Sequence, residues 1–283
     1  LPPSLVHANP AFLRPCRAMD DGAWPGGQRL HVYAAELLRG PDGAWRVLAD
    51  RTADAAGIGY ALLNRRALMR VMPEVFHSIA ARRLTSFFDA WHDALQHLAP
   101  SEGGRSPTLA LLTPGPTDKL WFEHVVLARE LSCELVEGGD LTARDGALFL
   151  KTLRGLRRVD VLLRREDGRM VDPLELEPGS IGGVPGLLDA ARWGGLRLVN
   201  DPGSGFAEAP ALAAFLPGLA RLLLGEELLL TSQPALWLGN EASRATLLAD
   251  PAPWSLRAAF EGKTAATPLA APPGSCRAAT PRS

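Results

Sequence analysis

The chain has 283 residues, with 30 basic and 31 acidic side chains and a formal net charge of −1 at pH 7. This length allows a sizeable core in one large domain or two smaller ones, and the balanced charge excludes a broadly basic surface for nucleic acid. The three cysteines have no metal-ligand spacing and no apolar run approaches the ~18 residues of a membrane span, so we expect a cytoplasmic protein without membrane or nucleic-acid partners.

The first third of the sequence predicts a hairpin followed by two helices. Residues 1–16 have neither an initiating methionine nor the basic and apolar regions of a secretion signal, so we expect a piece of a longer protein. Residues 29–51 contain two apolar stretches around "GPDG", a Pro-Asp-Gly turn. Apolar residues at helical spacing predict helices over 60–75 and 82–98. The segment "APSEGGRSP" then predicts a domain boundary.

The middle of the chain alternates strands with helices. Strands are predicted at 108–114, 133–138, 159–165 and 196–200, a hairpin at 140–151, and helices at 118–132, 184–194 and 209–225. Such alternation is typical of a doubly wound parallel sheet with helices on both faces. Ligands of these sheets bind beyond the carboxyl ends of the strands. At those ends this sequence has "TPGPTD", "VEGGD", "RRED" and "NDPGSG".

Two adjacent arginines, Arg164 and Arg165, end the third of these predicted strands. Arginine binds carboxylate or phosphate through two hydrogen bonds, so we expect the pair to hold an anionic substrate. The alternative, that a strand simply ends in exposed charge, remains open. If the pair is buried at the rim, an acidic neighbour such as Asp160, Glu166 or Asp172, or a bound anion, is expected.

Two loops at the same rim supply further candidate substrate contacts. "TPGP" contains Thr113 and Gly115, and "NDPGSG" contains Asn200 and Ser204. The second loop precedes a predicted helix, whose free N–H groups can bind an anion. Glycine and serine are also routine in strand-to-helix turns, so a structural role remains open.

Long motifs in a fixed order resemble one bacterial family. They include "LHVYAAELLRGPDGAWRVLADRT", "GYALLNRR", "LLTPGPTDKLWFEH", "LVEGGDLTARDG", "LKTLRGLRRVDVLLRR", "DPLEL" and "GVPGLLDAAR". The chain resembles the circularly permuted ATP-grasp proteins, relatives of glutathionylspermidine synthase. The resemblance implies an α/β, ATP-grasp-like fold. Its expected parts are a partial nucleotide and metal lobe (1–100), a doubly wound substrate-side domain (107–226), the start of a nucleotide-binding segment (227–260) and, from composition, a disordered tail (261–283).

The resemblance also implies chemistry. In such enzymes ATP phosphorylates a carboxylate, an amine attacks the acyl phosphate, and magnesium offsets the charge. ATP and magnesium are therefore the implied cofactors, and the implied substrates are small molecules or peptides with carboxylate and amine groups. The implied metal ligands are Glu36 and Asp50, and the implied nucleotide contacts are Arg65 and Arg257.

The nucleotide lobe departs from the family pattern. The family's Glu-x-Asn triplet is Ala49-Asp50-Arg51 here, and strand alternation turns Asp50 away from the face of its neighbours. Arg257 stands where the family has a phosphate-contacting lysine. We therefore predict a degenerate or incomplete nucleotide site, completed if at all by a fused domain or protein partner. The alternative is a non-catalytic binding or scaffold module that keeps the crevice. A dinucleotide-binding oxidoreductase is disfavoured because no G-x-G-x-x-G follows the first parallel strand.

Overall fold

The computed structural model describes residues 1–17, 28–79, 82–99, 105–260 and 267–268. The chain divides into two compact units. The larger contains Ala11–Ala34 and Arg51–Phe206, and the smaller contains Leu1–Pro10, Ala35–Asp50 and Ala207–Ser283. Part of the predicted boundary segment and most of the predicted disordered tail lie outside the described residues.

The secondary structure mixes helices and strands along the whole described chain. The α-helices are α1 (Pro3–His7), α2 (Arg14–Arg17), α3 (Ile58–Val71), α4 (Pro73–Ser78), α5 (Thr85–Leu98), α6 (Trp121–Glu130), α7 (Leu187–Arg192), α8 (Leu216–Leu224) and α9 (Glu241–Ala249). The strands are β1 (Ala34–Arg39), β2 (Trp45–Arg51), β3 (Leu109–Leu112), β4 (Glu134–Val136), β5 (Leu141–Arg144), β6 (Ala147–Thr152), β7 (Gly155–Val159), β8 (Val161–Arg164), β9 (Arg197–Val199), β10 (Ser255–Leu256) and β11 (Thr267–Pro268). Among the described helices, none is long and apolar enough to cross a membrane.

A four-stranded parallel sheet forms the centre of the larger unit. Its spatial order is β4-β3-β8-β9, and all three pairings are parallel. Strands β3 and β8 are short and buried throughout because both of their faces are covered. The predicted parallel sheet is therefore confirmed.

Helices cover both faces of this sheet. Successive side chains of a strand point to opposite faces, so β3 contributes to two separate apolar clusters. Ala110 and Leu112 pack in the cluster that contains residues of α7, whereas Leu109 and Leu111 pack in the cluster that contains residues of α3, α5 and α6. This arrangement confirms the doubly wound α/β architecture.

A three-stranded antiparallel sheet, β5-β6-β7, lies between β4 and β8 in the chain. It contains the hairpin predicted at 140–151 and adds β7, which was not predicted. The sequence of β7, "GLRRV", is basic and mostly exposed, so it lacks the alternation of a half-buried strand. The strand predicted at 159–165 is consequently wrong as one element: Val159 ends β7, and β8 begins at Val161.

Prolines change two of the predicted helices. The helix predicted over 60–75 ends at Val71, and Pro73 begins α4, because proline lacks the N–H that would continue the hydrogen-bond ladder. The helix predicted over 209–225 is α-helical only in α8. The residues before α8 form 3-10 helices that begin at Pro202 and Pro210.

The smaller unit contains most of the predicted hairpin of β1 and β2 (Ala35–Asp50), together with α8 and α9. The "GPDG" turn is closed by Gly40, whose N–H donates to the Ala44 oxygen at 2.9 Å. A later segment runs beside β2. The Val47 N–H donates to the Thr231 oxygen at 3.0 Å, and the Val47 oxygen accepts from the Gln233 N–H at 3.3 Å. Chain segments distant in sequence thus share one small sheet edge.

Candidate functional site

The strand order creates a switch point between β3 and β8. The chain leaves β3 to form β4 on one side, and later places β8 on the other side. In open α/β sheets the ligand crevice lies at the carboxyl ends of two such strands. Thr113 follows β3, Arg164 ends β8 opposite Leu112, and the Arg165 N–H donates to the Leu112 oxygen at 2.8 Å. The rim residues predicted from the sequence therefore lie at the switch point.

Arg164 is buried, and all three of its guanidinium nitrogens donate hydrogen bonds. Nη1 donates to the Glu166 backbone oxygen at 2.5 Å, Nη2 to the Ala53 oxygen at 3.1 Å, and Nε to the Asn200 oxygen at 3.5 Å. Burial lowers the pKa of Arg164, while the charge of Asp54 acts in the opposite direction. Arginine stays charged in proteins, so this cation binds backbone oxygens of its own chain. The exposed strand end weighed as an alternative is wrong, because Arg164 is 3% exposed.

Arg165 points to the other face of the sheet, because adjacent strand residues alternate. Its Nη1 donates to Asp54 Oδ1 at 2.7 Å and to the Ala55 oxygen at 3.2 Å. Its Nε and Nη2 are buried and have no hydrogen-bond partner within the described part of the chain. These two nitrogens form one edge of the planar guanidinium, a geometry that matches a carboxylate or phosphate. A buried donor without an acceptor costs about 1–3 kcal/mol.

Asn200 uses its whole amide group to join two other parts of the chain. Its Oδ1 accepts from the backbone N–H groups of His31 and Val32 at 2.8 and 2.9 Å. Its Nδ2 donates to the backbone oxygens of Val32 and Thr52 at 2.6 and 2.7 Å. All the hydrogen-bonding capacity of this side chain is therefore used inside the protein.

A short segment, Thr52–Gly57, lies across the carboxyl edge of the sheet, and we call it the crossing segment. Ser204 Oγ donates to the Thr52 oxygen at 2.9 Å, and Thr52 Oγ1 donates to the Ser204 oxygen at 2.7 Å. Arg164 and Arg165 bind the same segment further along, at Ala53, Asp54 and Ala55. Four of the predicted substrate contacts thus hold this segment in place: Arg164, Arg165, Asn200 and Ser204.

Glu123, at the start of α6, binds the end of the crossing segment. Its Oε1 accepts from the N–H groups of Gly57 at 2.7 Å and Gly59 at 2.9 Å, and its Oε2 accepts from Gly57 at 2.9 Å. Gly57 has φ +108°, and a Cβ atom on Gly59 would lie 2.9 Å from Glu123 Cγ. Glycine is therefore needed at both positions. The carboxylate occupies the N-terminus of α3, where the helix dipole and free N–H groups favour negative charge.

His124, the next residue of α6, lies beside Thr113. Its Nδ1 is 2.9 Å from Thr113 Oγ1, and that oxygen accepts from the Gly115 N–H at 3.2 Å. Burial lowers the pKa of His124, and the charge of Arg165 adds to the effect, so the ring is neutral at pH 7. We assign the Thr113 hydroxyl proton to the bond with Nδ1, which leaves the ring proton on Nε2. Nε2 is buried without a partner among the described residues.

The carboxylate that forms an ion pair with Arg165 is Asp54, and among the described residues none of the three carboxylates predicted for that role pairs with either arginine. Asp160 lies at the opposite end of β8, where it binds Arg105 at 2.6 and 2.9 Å. Asp172 accepts backbone N–H groups, and Glu166 accepts from Arg164 through its backbone oxygen. Asp54, in the crossing segment, lies 111 residues from Arg165 in the sequence. Residues close to Arg165 in the sequence therefore did not predict its carboxylate partner.

The two candidate nucleotide contacts have different surroundings. Arg65, on α3, donates to the Arg82 oxygen at 3.0 Å, and its guanidinium carbon lies 5.2 Å from the centre of the Phe76 ring. Arg257 follows β10 in the smaller unit and is exposed. Their proposed contacts with ATP remain predictions.

The described residues do not fit a magnesium site. Glu36 is exposed on β1, and Asp50 is half-buried on β2. Magnesium needs nearly ideal octahedral oxygen geometry. Within the described residues, no group of three His, Cys, Asp or Glu side chains could hold a metal ion. Ala49 offers no side-chain oxygen, and Arg51 adds positive charge, so we derive no reaction step through magnesium.

A separate cleft of about 680 Å³ is lined by residues of the β5–β6 hairpin and of α7. It lies between the β5–β6 turn and the end of α7. Its described walls do not include any predicted site residue; the polar and aromatic ones are Arg144, Asp145, Arg158, Asp189 and Trp193. This cleft is distinct from the switch point.

Sequence reasoning missed Asp54, Glu123 and His124. Glu123 and His124 resemble part of the polar face of an amphipathic helix. Their helical spacing could have revealed their burial. Glu123 and His124 precede the apolar residues Leu127 and Ala128, respectively, by four positions, which places them on the buried face of α6. Asp54 has no comparable local signal.

Comparisons with known proteins identify relatives along almost the whole chain. The sequence profile of a family described as circularly permuted ATP-grasp type 2 matches residues 1–275. The uncharacterized protein Rv2567 of Mycobacterium tuberculosis is 37% identical over 268 residues, which are 95% of this chain and 30% of that protein. The uncharacterized protein sll0335 of Synechocystis is 36% identical over 244 residues, 86% of this chain and 50% of that protein. The chain thus spans a half or less of the length of these relatives.

Proposed function

Because the chain belongs to the circularly permuted ATP-grasp type 2 family, we propose that it derives from an ATP-dependent carboxylate–amine ligase and supplies the part that binds the carboxylate substrate. In this chemistry a carboxylate oxygen attacks the terminal phosphorus of ATP and ADP leaves, which gives an acyl phosphate. The amine nitrogen then attacks the acyl carbon. Phosphate leaves, the nitrogen loses a proton, and an amide remains.

The buried arginine pair at the switch point carries this proposal. Arg164 and Arg165 place two positive charges at the edge where α/β sheets bind ligands. A carboxylate substrate is an anion that a guanidinium recognises through two hydrogen bonds. Both arginines belong to the larger unit, where their position and charge suit an anionic ligand.

We further propose that nucleotide turnover needs polypeptide outside this segment. The relatives extend well beyond the matched region, since it covers 30% of one and 50% of another. A fused domain or protein partner would supply the missing metal ligands. A cytoplasmic location belongs to the same proposal, because Cys16 and Cys133 are free thiols.

A second function, a non-catalytic binding or scaffold module, is favoured by the crossing segment. The polar groups of Arg164, Asn200 and Ser204 bind the chain's own backbone. A module that has lost its chemistry would keep such internal contacts because they stabilise the fold. The two functions differ in whether any form of the protein turns over ATP.

Calorimetry with ATP, with and without magnesium, and a phosphate-release assay test the ligase proposal. We expect this chain alone to show neither magnesium-dependent micromolar binding nor turnover. The double variant Ala49→Glu/Arg51→Asn restores two oxygen ligands and should make ATP binding depend on magnesium. Arg39→Gln, which changes charge elsewhere in the hairpin, is the matched control.

Micromolar magnesium-dependent binding with turnover by the unmodified chain would overturn the incomplete nucleotide site. If the longest natural form of the protein, assayed with mixtures of carboxylates and amines, releases no phosphate, the ligase proposal fails and the binding module is supported.

A further inference from the structure

The two arginines at the switch point are not equivalent. Each guanidinium nitrogen of Arg164 donates to a backbone oxygen. Arg165 donates only through Nη1, while Nε and Nη2 find no acceptor among the described residues. Arg165 is also 7% exposed, so water does not replace the missing acceptor from an open surface. One charged, hydrogen-bonding edge is therefore left for something else.

A third donor lies in the same neighbourhood. His124 is 1% exposed, and Thr113 occupies its Nδ1 at 2.9 Å. Thr113 and Arg165 directly follow the paired residues Leu112 and Arg164, so their side chains lie beside each other on one face of the sheet, and His124 contacts Thr113. With the ring proton on Nε2, this atom is a buried N–H donor that has no acceptor in the described residues. Within the described part of the chain, the site thus contains three donors without acceptors, which together suit the negatively charged oxygens of an anion.

We infer that the Nε–Nη2 edge of Arg165, together with Nε2 of His124, binds one carboxylate or phosphate group of a ligand. This inference deepens the proposed function and rests on it for the choice of ligand class. A carboxylate would come from the acyl substrate, and a phosphate from a phosphorylated intermediate or nucleotide. Both present two oxygens at the spacing of an arginine edge, and a further lone pair for His124. Arg164 is a positioning residue for the crossing segment.

The crossing segment contacts this site through Asp54 and Ala55. Asp54 accepts a hydrogen bond from Nη1 of Arg165, and Glu123 accepts one from the Gly57 N–H. Because Nε and Nη2 of Arg165 are buried, we expect entry of a ligand group to displace the segment from Arg165 and to break the bonds at Asp54 and Ala55. Asp54→Asn removes the charge that holds the segment and also removes a competing anion. We therefore expect this variant to bind anions more tightly than the unmodified protein.

Titration of ¹⁵N-arginine-labelled protein tests the inference directly. Inorganic phosphate and acetate are added in separate series, with sodium chloride at equal ionic strength as the reference. The Arg165 Nε–H resonance, identified by its loss in Arg165→Lys, should shift saturably with phosphate or acetate and not with chloride. Lysine keeps the charge but lacks the planar edge, so Arg165→Lys should bind about tenfold more weakly, as followed on the remaining resonances.

Matched variants separate the site from general charge effects. Arg157→Lys makes the same exchange at an exposed ion pair and should leave the affinity unchanged. His124→Phe removes the Nε2 donor and should weaken binding, whereas His124→Gln supplies an amide donor and should weaken it less. Circular dichroism checks that each variant folds. If Arg165→Lys does not fold, the affinities of the two His124 variants, followed on any arginine Nε–H resonance that shifts saturably, decide the outcome.

A shift with phosphate alone supports a phosphate ligand, and a shift with acetate supports a carboxylate ligand. Equal shifts with chloride, or no saturable shift with any anion, overturn the inference. Unchanged affinity in both Arg165→Lys and His124→Phe also overturns it. Phosphate release from ATP is measured separately, so the ligase proposal can fail while this anion site stands, and the anion site can fail while turnover is observed.

Discussion

Replacing the buried carboxylate of Glu123 with an amide should loosen the crossing segment. Glu123→Gln keeps the size of the side chain but removes its charge and one acceptor oxygen. The amide oxygen can still accept from Gly57 and Gly59, whose N–H groups now lie 2.7 and 2.9 Å from Oε1. The amide nitrogen would face the Gly57 N–H, which now lies 2.9 Å from Oε2, so two donors would oppose each other.

The magnitude follows from these contacts. Hydrogen bonds to a charged group contribute about 1.5–3 kcal/mol and neutral ones about 0.5–1.5 kcal/mol, so the change loses roughly 1 kcal/mol for each of two bonds. Loss of the negative charge at the N-terminus of α3 adds about 0.3–1 kcal/mol. We expect Glu123→Gln to lower the free energy of unfolding by about 2–3 kcal/mol. Glu123→Ala should cost more, because it leaves the N–H groups of Gly57 and Gly59 buried without acceptors.

Urea denaturation measures this loss, and hydrogen exchange of the Gly57 and Gly59 amides locates it. Glu134→Gln is the matched control, because Glu134 forms a half-exposed ion pair with Arg157 of β7. Such a pair should contribute less than about 1 kcal/mol. If Glu123→Gln unfolds within about 0.5 kcal/mol of the unmodified protein and both amides exchange as slowly as before, the carboxylate does not hold the segment and the reasoning is refuted.

Three further outcomes are expected. The hydrogen bonds of Arg66 hold the pKa of Glu130 below its ordinary value, so this pair stabilises the fold above the unfolded-state pKa of Glu130. This contribution is lost as the pH falls through the folded-state pKa. Glu130→Gln should therefore reduce the loss of stability at acid pH in a stability–pH curve, and an unchanged acid side of that curve would contradict the prediction. Burial raises the thiol pKa of Cys16 and of Cys133 to about 12, so iodoacetamide at pH 8 should alkylate both far more slowly in native than in urea-unfolded protein, as mass spectrometry would show. Gly115 has φ +102°, so Gly115→Ala should lower the melting temperature through about 1–2 kcal/mol of backbone strain, and an unchanged melting temperature would argue against that conformation.

The sequence predicted the fold best where a local apolar pattern matched the burial of that segment in the structure. Short apolar runs between turns correctly located β3 and the parallel sheet, and their order placed Arg164 at its carboxyl edge. The family resemblance, which rests on long motifs in a fixed order, is likewise confirmed, because the family profile matches residues 1–275. Errors arose where one residue overrides a pattern. Pro73 divides a continuous helical periodicity, and the basic strand β7 has no apolar face for a pattern to show.

The contacts of the site could not be predicted, because they join distant positions. Arg165 and Asp54 are 111 residues apart, and Glu123 and Gly57 are 66 apart. No local propensity reports on such a pair. The sequence therefore indicated a binding role for the two arginines and predicted that they hold an external anion. In the structure both arginines donate hydrogen bonds to the crossing segment. The edge of Arg165 that lacks an acceptor among the described residues likewise depends on these distant contacts.

The amide of Asn200 also makes the folded chain sensitive to deamidation at this one position. Deamidation would convert this side chain to a carboxylate, as happens to asparagines during ageing. The new oxygen would point at the carbonyl oxygens of Val32 and Thr52, which now lie 2.6 and 2.7 Å from Nδ2. Two hydrogen bonds would be replaced by repulsion between oxygen atoms. These contacts now join Asn200 to Val32 and Thr52, which lie 168 and 148 residues away in the sequence. A one-dalton mass change at this position would thus mark molecules that have lost the connection between the sheet and both segments.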